Sequence, residues 1–429
     1  MTPREEPPAS EHREALVSGF PGSGPVTPAV VRVIDERPIG GASLEGSTSG
    51  GGTYADALDE GRLHYVLDVE GIRALISSNT PAILLIAEGT YDFGATATKL
   101  IACSEACDAA NPLAKQNVGL SSCASGATQF EVDDTHEVLH VGSNKTVIGL
   151  GKGAILRNAE LSLADASNVI LRNLSLVDNN SNVVGQGNGI MLTPASHVWI
   201  DHCTFRNDGR WYVSITSDLD EAGKAVLKEA GYVTLTYNLF DGMVEGICRQ
   251  RSQYVFGTRR NPALTFAYNW FYRSENRNPF LFGPETWAHI FNNYWSDVSY
   301  AGVAAACGAA AVLQGNAFAA SYSALSINDN GVTDTPYCAA NPWGKVYAPM
   351  NTGTDEDNRF DSTSTLALHD QPTDGTGMTK PSRRSGHVFT VTAPTKSGTS
   401  TEIYEVTLFA DPATVASEVK AKAGAGKLF

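Results

Sequence analysis

Arginine is the side chain with the clearest chemical potential in this acidic chain. A run of arginines falls within the stretch 249–260, at Arg249, Arg251, Arg259 and Arg260. Such a run either lines a groove that attracts a polyanion or forms a solvated loop, and the residues alone leave both open. Arg277 lies in an Asn-Arg-Asn-Pro turn at 276–279. Read without its context, Arg277 is an ordinary loop cation, with a functional role as the alternative.

Two groups of carboxylates invite a catalytic or metal-binding interpretation. Asp201 directly precedes His202, as in an acid–base dyad, but the pair lies within a strand pattern that repeats along the chain. We therefore interpret it as a satisfied core pair. Other aspartates could supply a metal site, although turn and cap roles explain them better; they are Asp178, Asp208, Asp218 and Asp220.

The placement of the cysteines predicts disulfides rather than a metal site. The cluster Cys103, Cys107 and Cys123 has no histidine at metal-like spacing, which disfavours zinc. The remaining cysteines are scattered along the chain, at Cys203, Cys248, Cys307 and Cys338. Seven cysteines in a secreted protein predict disulfides with one residue left over, and many pairings are possible.

Composition narrows the class of protein that must position these residues. The 429 residues carry a net charge of −15 and include only 18% charged side chains, below the ~25% of an ordinary domain. This acidity argues against a nucleic-acid partner, because phosphate binding needs a basic patch. No run of ~18 apolar residues occurs, which excludes a membrane span. The first 13 residues are polar and predict no signal peptide, so secretion is inferred from other features.

Regular structure is expected to begin near residue 62. Residues 1–61 are rich in Pro, Gly, Ser and Glu and predict a mostly irregular leader. Beyond it the sequence predicts a few elements in order: a helix at 70–78, a buried strand at 82–87 and a helix at 220–230. A C-terminal helix is predicted after Asp411, which suits an N-cap, and it should cover apolar surface of the main domain.

A degenerate strand pattern repeats along the rest of the chain. Each copy has alternating apolar residues and then a small or polar residue two places before an aromatic one. That small or polar residue recurs at spacings of 35, 31, 24 and 23, at Cys203, Asn238, Asn269, Asn293 and Asn316. Repeats of ~20–35 residues built from strands indicate an all-β solenoid with a shared core. The asparagines are expected to hydrogen-bond from rung to rung at a buried bend; a β-sandwich with chance Asn turns is the alternative.

Four segments together resemble the pectate/pectin lyase family. They are 198–205 (Val-Trp-Ile-Asp-His-Cys-Thr-Phe), 276–279 (Asn-Arg-Asn-Pro), 291–295 (Phe-Asn-Asn-Tyr-Trp) and 423–428 (Ala-Gly-Ala-Gly-Lys-Leu). They occur in the family's order, and the likeness covers residues 62–429. The resemblance implies a right-handed parallel β-helix with a few short peripheral helices and a long groove. It also implies cleavage of pectin or polygalacturonan by β-elimination.

The resemblance assigns the catalytic base to Arg277. β-Elimination removes the C5 proton of the substrate, which is α to the carboxyl group, and expels the oxygen at C4. The enzyme therefore needs a base, and positive charge for an enolate-like intermediate. In this family the base is an arginine; arginine is normally protonated, and burial beside other cations disfavours its charged form.

The resemblance also bears on calcium. Pectate lyases hold calcium with acidic residues, but the matching positions here carry no carboxylate: they are Gln186, Asn188, Arg210 and Ser214. Such groups are poor ligands for a hard cation, so no cofactor is predicted. Arg210 resembles the arginine of the calcium-independent pectin lyases and joins Arg277 as a predicted catalytic residue. By the same likeness, Cys103 would pair with Cys123, and Cys107 with Cys248.

Some positions depart from the pectin-lyase pattern. Asn188 stands where those enzymes keep an aspartate, and Phe280 replaces the second basic residue of the motif that contains Arg277. Trp211 and Tyr212 either replace stacking surface in the groove or belong to the core. The residues predicted to bind substrate are Asn188, Trp211, Arg249 and Arg251.

Three functions remain open from the sequence. The favoured one is a secreted, monomeric lyase that acts on methyl-esterified homogalacturonan without metal, with no nucleic-acid or membrane partner. The second is a β-helix with weakened chemistry that only binds uronate-rich polysaccharide. The third is a pectate lyase with a relocated calcium site.

Overall fold

The structure is a computed structural model, and it describes most of the chain. The described residues are 26–94, 97–102, 129–134, 136–179, 187–208, 211–219, 226–242, 253–258, 261–275, 277–327, 336–394 and 401–429.

Three long sheets, which we call A, B and C, form the body of the protein, and their strands are numbered in chain order. Sheet A contains, in spatial order, β1 (Leu63–Val66), β2 (Ala82–Ile86), β7 (Lys145–Gly149), β10 (Ala166–Arg172), β13 (Ala195–Asp201), β18 (Gly231–Thr236), β21 (Leu264–Ala267), β24 (Trp287–Phe291), β27 (Ala310–Gln314) and β30 (Lys345–Tyr347). Sheet B contains β3 (Gly89–Asp92), β8 (Ala154–Arg157), β11 (Leu174–Val177), β14 (Thr204–Arg206), β19 (Leu239–Asp241), β22 (Trp270–Tyr272), β25 (Tyr294–Val298), β28 (Ala317–Ser321) and β31 (Arg359–Phe360). Sheet C contains β6 (Glu137–His140), β9 (Ala159–Ser162), β12 (Ile190–Leu192), β15 (Trp211–Thr216), β20 (Gln253–Thr258), β23 (Phe280–Phe282), β26 (Val303–Ala306), β29 (Leu325–Ile327) and β32 (Leu366–Ala367).

The remaining described elements are short and peripheral. Three small antiparallel sheets lie outside the long sheets. They are β4 (Ala97–Ala102) with β5 (Gln129–Asp134), β16 (Asp218–Leu219) with β17 (Val226–Lys228), and a three-stranded sheet in which β34 (Val388–Pro394) lies between β33 (Ser382–Arg383) and β35 (Thr401–Thr407). The helices are α1 (Pro28–Asp35), α2 (Tyr54–Asp59), α3 (Val69–Ile76), α4 (Pro336–Ala340) and α5 (Val415–Lys422), with 3₁₀ turns at Gly40–Ser43 and Pro412–Thr414. None of these helices is long and apolar enough to cross a membrane.

The chain passes through sheets C, A and B once in each turn of a coil. Every pairing between neighbouring strands within the three long sheets is parallel; for example, Val198 of β13 pairs with Val169 on one side and Val233 on the other. Buried apolar side chains from all three sheets fill one interior. The predicted right-handed parallel β-helix is confirmed, and the β-sandwich alternative is wrong.

An asparagine ladder runs along the bend between sheets A and B. The Oδ1 atom of Asn269 accepts from the backbone N and Nδ2 of Asn238 at 2.9 and 3.0 Å. Asn293 accepts in the same way from Asn269 at 2.9 and 3.0 Å. The ladder begins at Cys203, whose N–H donates to Asn238, and continues through Asn316 to Asn358. The predicted contacts between rungs are therefore confirmed, and Asn358 extends them by one turn.

An aromatic stack fills the interior behind this bend. Phe205, Phe240, Phe271, Trp295, Phe318 and Phe360 stack in that order, with ring centroids 4.4–5.0 Å apart and planes within 11° of parallel. Because each ring comes from an equivalent place in successive rungs, the stack holds the register of sheet B.

The structure differs from the predicted irregular leader over residues 26–61. The Thr27 side chain caps α1, and Pro28 occupies its first turn. Backbone N–H groups beyond α1 find acceptors on sheet A: Gly41 donates to Thr265 Oγ1 and Gly51 to Thr146 Oγ1, both at 2.9 Å. Threonine hydroxyls on the outer face of sheet A thus accept hydrogen bonds from the backbone of the leader. The sequence of the leader alone does not predict these contacts.

Two other helix predictions have different outcomes. The predicted helix at 220–230 is wrong in its described part, since Val226–Lys228 forms strand β17 and pairs with β16 in a hairpin. Residues 220–225 lie outside the described part. The C-terminal helix is confirmed: Asp411 accepts from the Ala413 N–H, and Val415 and Val419 are buried against sheet B beside Tyr294. Helix α3 and strand β2 also lie where they were predicted.

The described cysteines form one disulfide. Cys307 is bonded to Cys338, and Cys203 is a buried free thiol. This pairing links the end of β26 to α4. The predicted pairs Cys103–Cys123 and Cys107–Cys248 lie outside the described residues and stay predictions.

The burial of His289 is expected to make the stability of the protein depend on pH. This residue of β24 is fully buried beneath β35, with Nε2 2.9 Å from Gln314 Oε1 and Nδ1 3.1 Å from the Tyr404 hydroxyl. Burial lowers the pKa of His289 to about 3, although the contact with Gln314 opposes the shift. Below pH ~6.5 the unfolded chain therefore takes up a proton that the folded protein rejects.

We expect His289 to reduce the free energy of unfolding by up to ~1.4 kcal/mol per pH unit as the pH falls from ~6.5 towards ~3. Urea unfolding at several pH values would measure the effect by comparison with His289→Gln, whose curve should fall less steeply. His140→Gln, at an exposed position of β6, is the control. Equal slopes for wild type and His289→Gln would contradict the assignment.

Candidate active site

Sheet C brings several of the predicted site residues into register. Ser214, Phe256 and Phe280 pair side by side on strands β15, β20 and β23. Trp211 lies three residues before Ser214, and Arg277 lies three residues before Phe280. Strands β15 and β23 are two strand spacings apart in sheet C, or ~10 Å, and Arg277 lies in the loop just before β23. The candidate site therefore lies at the edge at which the chain enters sheet C.

Arg277 lies in a loop that is tied to the next rung. Its backbone N–H donates to the Ala301 carbonyl at 2.6 Å, and the Asn278 N–H donates to the Gly302 carbonyl at 2.6 Å. Arg277 has a φ of 57°, in the left-handed region that few non-glycine residues adopt. The peptide bond between Asn278 and Pro279 is cis. The half-buried guanidinium is thus carried by a backbone that is held in place on both sides.

Phe280 forms an aromatic surface beneath the arginine. The guanidinium carbon of Arg277 lies 4.5 Å from the centroid of the Phe280 ring, within range of a cation–π interaction. Phe280 is 3% exposed and packs with Ala304 and Ala306 of β26. Phe280, which departs from the family motif, therefore packs against Arg277 with an uncharged aromatic ring.

Glu160 contacts a predicted site residue, Asn188, and the sequence did not identify this contact. Its Oε2 atom accepts from both the backbone N and Nδ2 of Asn188, at 3.0 and 2.9 Å. Asn179 Nδ2 donates to the Asn188 carbonyl at 3.0 Å. Glu160 and Asn188 are both more than nine-tenths buried, so Glu160 orients Asn188. A single acid in a four-residue strand carries no distinguishing signal, and only the register reveals the contact.

Of the other acidic candidates, Asp208 lies near both Asp178 and Glu160. Burial, with the neighbouring Asp178 carboxylate, raises the pKa of Asp208 well above its ordinary value. Asp178 is engaged by Arg157 at 3.2 Å and by Asn207 at 2.6 Å. Asp218 begins the β16 hairpin, and Asp220 lies outside the described residues. Among the residues that the structure describes, no group of three or more acidic, histidine or cysteine side chains could hold a metal ion.

Asp201 and His202 form part of a buried structural network. Asp201 Oδ2 accepts from Arg172 Nη2 at 2.6 Å and lies 2.7 Å from His202 Nδ1, while Oδ1 accepts from the Thr236 hydroxyl at 2.6 Å. Burial acts to raise the pKa of Asp201, but the Arg172 guanidinium and His202 outweigh it and lower the pKa. The pair lies on sheet A, away from the edge that carries Arg277.

The structure places the remaining predicted residues as follows. Trp211 is half-buried at the start of β15, whereas Tyr212 is core and packs edge-on against Phe205. Ser214 is buried on the same strand. Several predicted residues lie outside the described part of the chain: Arg210, Gln186, Arg249, Arg251, Arg259 and Arg260.

Comparison with known proteins gives consistent results. A family model described as pectate lyase matches residues 96–428. A probable pectin lyase F of Aspergillus niger is 28% identical over 406 residues, covering 91% of this chain and 75% of that protein. A probable pectin lyase D of Aspergillus flavus is 30% identical over 183 residues, covering 42% of this chain and 46% of that protein.

Solved structures share the fold at low sequence identity. A pectate lyase from Paenibacillus sp. 0602 aligns with a TM-score of 0.57 and 16% identity, covering 92% of this chain and 97% of that one. A pectate lyase from Acidovorax avenae subsp citrulli aligns with a TM-score of 0.52 and 18% identity, covering 92% and 95%. At these identities the likeness shows the β-helix alone.

Proposed function

This chain belongs to the pectate lyase family, and we propose that it cleaves methyl-esterified homogalacturonan by β-elimination without calcium. Membership implies a polysaccharide lyase that acts on polygalacturonan chains. The preference for the methyl ester is supported by the curated relatives, whose names describe probable pectin lyases. The single observation that carries the mechanism is the position of Arg277 at the entry to sheet C, over a neutral aromatic ring.

In the proposed reaction the Arg277 guanidine group is the base that takes the C5 proton of the sugar that carries the ester. The electrons of the broken C–H bond form a double bond between C4 and C5. The bond from C4 to the glycosidic oxygen breaks, and that oxygen leaves with its electron pair and takes up a proton. The ester carbonyl delocalises the developing charge, and Arg210 is proposed to polarise it. The product carries a conjugated double bond that absorbs ultraviolet light.

The described residues at the family's calcium positions do not suit calcium. Asn188 is buried with its amide nitrogen bound to Glu160, and Ser214 offers a buried hydroxyl. Calcium prefers several oxygen ligands, carboxylates among them. We therefore derive no step through a metal ion.

Chelation is expected to leave the activity unchanged. With excess chelator, elimination from highly esterified pectin should stay within about twofold of the untreated rate, because no described carboxylate stands at the calcium positions. The measurement is ultraviolet absorbance of the unsaturated product, with pectins of high and low esterification in parallel. Loss of activity with chelator, restored by added calcium, would instead support a pectate lyase with a relocated site.

A binding protein is the second candidate function, and Phe280 is the observation that favours it. A buried ring here replaces the second basic residue of the family motif, which removes one positive charge from the reacting centre. Under this alternative, no uronan would give unsaturated product, although the chain would still retain pectin in a binding assay. We also propose that the protein is a secreted monomer; the Cys307–Cys338 disulfide supports secretion.

A further inference from the structure

We propose that Trp295 and Ser274 are positioning residues that hold Asn278 and thereby fix the backbone that carries Arg277. The inference rests on the proposed role of Arg277 as the base. Neither residue is part of the Asn-Arg-Asn-Pro turn itself. Both act through Asn278, and we propose no direct contact between either residue and substrate.

Asn278 is held from three directions. Its carbonyl accepts from the Trp295 indole Nε1 at 2.6 Å, its Nδ2 donates to the Ser274 hydroxyl at 3.0 Å, and its backbone N–H donates to the Gly302 carbonyl at 2.6 Å. Ser274, Asn278 and Trp295 are all completely buried. Three short contacts on one buried residue leave it little freedom to move.

The conformation of Arg277 needs such support. A left-handed φ at a non-glycine residue is strained and persists only where the surroundings enforce it. Arg277 is bonded through its own N–H to Ala301, and the next residue, Asn278, is bonded through its carbonyl to Trp295. Releasing Asn278 would free one end of this strained segment and let the guanidinium move away from the Phe280 ring.

Trp295 connects this loop to the aromatic stack. Its ring lies within the aromatic stack, 4.9 Å from Phe271 and 4.4 Å from Phe318. The ring therefore packs in the core while the indole N–H reaches outward to the loop. These two contributions are separable, because phenylalanine can stack in the same place but has no N–H to donate.

A purely structural reading is that the buried indole simply needs an acceptor. In that case the loss of the hydrogen bond would lower stability and leave turnover in the folded protein unchanged. The positioning reading instead predicts a fall in kcat with little change in KM, because a displaced base weakens the transition state more than substrate binding. Separating kcat from KM decides between the two.

The test compares Trp295→Phe and Ser274→Ala with a matched control in the full-length chain. Trp270→Phe removes the same N–H group, here one that donates to Ser296 on the flank of sheet B at 2.9 Å. On highly esterified pectin, we expect kcat to fall ~10–100-fold for Trp295→Phe and by a smaller factor for Ser274→Ala, since small displacements of catalytic groups have such costs. KM should change by no more than about twofold, and Trp270→Phe should match the wild type.

The inference is overturned if both variants keep a kcat like that of Trp270→Phe. If Trp295→Phe fails to fold, the kcat of Ser274→Ala is compared with that of Trp270→Phe, and equal values overturn the inference. If the wild type gives no elimination product, the proposed function fails and a crystal structure of Ser274→Ala tests the positioning role. An Arg277 that has left the left-handed region would support the role, and an unchanged loop would refute it.

Discussion

Arg277→Lys is expected to reduce turnover on esterified pectin at least about a hundredfold, since a general base typically contributes ~10²–10⁴-fold. Lysine keeps the positive charge but loses the planar guanidinium that lies over Phe280. The ammonium group is also differently placed, so it cannot take the C5 proton from the same position. Because the side chain is half-buried and the loop is held through the backbone, the variant should remain folded.

Arg359→Lys is the control for this experiment. It makes the same chemical change on β31, where Arg359 forms an exposed ion pair with Asp411 at 3.6 Å. Initial rates and thermal melts of both variants and the wild type would be measured together. Turnover of Arg277→Lys close to that of Arg359→Lys would remove Arg277 from the role of base. Arg210→Ala should differ from both, because a contact with the substrate ester affects binding as well as rate.

The solenoid could be predicted because its stabilising contacts repeat in the sequence. The side-chain oxygen of Asn269 accepts from Asn238, and its side-chain nitrogen donates to Asn293, so the same residue type must recur once per turn. The assignment of Arg277 has a different origin: its turn is a local motif of four consecutive residues that resembles the family's, and the role of Arg277 stays a prediction. The asparagine repeat and the four-residue turn can both be recognised in the sequence without a structure.

The rest of the site depends on register between rungs, which the sequence does not display. Glu160 contacts Asn188 at a sequence separation of 28 residues, and Trp295 contacts Asn278 at a separation of 17. No sequence repeat connects either pair. The leader is a similar case, since Gly41 finds its acceptor on Thr265, 224 residues further along. Each of these contacts joins two positions that no sequence repeat connects, so the sequence does not reveal it.

A large loss of stability is expected for Arg172→Met. Arg172 is 1% exposed; it donates to Asp201 through Nε and Nη2, and its Nη1 reaches the Val33 carbonyl of α1 at 2.7 Å. Removing it leaves the buried Asp201 carboxylate without the Arg172 guanidinium and breaks a hydrogen bond between α1 and sheet A. Breaking a buried ion pair in this way typically costs ~3–5 kcal/mol. Chemical denaturation at pH 7 would measure the loss.

The pH dependence of this loss tests its cause. In the wild type the pKa of Asp201 is lowered, so the carboxylate stabilises the folded state above the ordinary aspartate pKa and that stabilisation fades as the pH falls. Without Arg172, only His202 and the Thr236 hydroxyl still oppose the effect of burial on the pKa of Asp201, so the carboxylate should take up a proton more readily and the penalty should shrink once it is protonated. Adding Asp201→Asn to Arg172→Met should therefore restore part of the stability at pH 7. A penalty that is independent of pH and not relieved by the second change would mean that lost packing against Trp199 dominates.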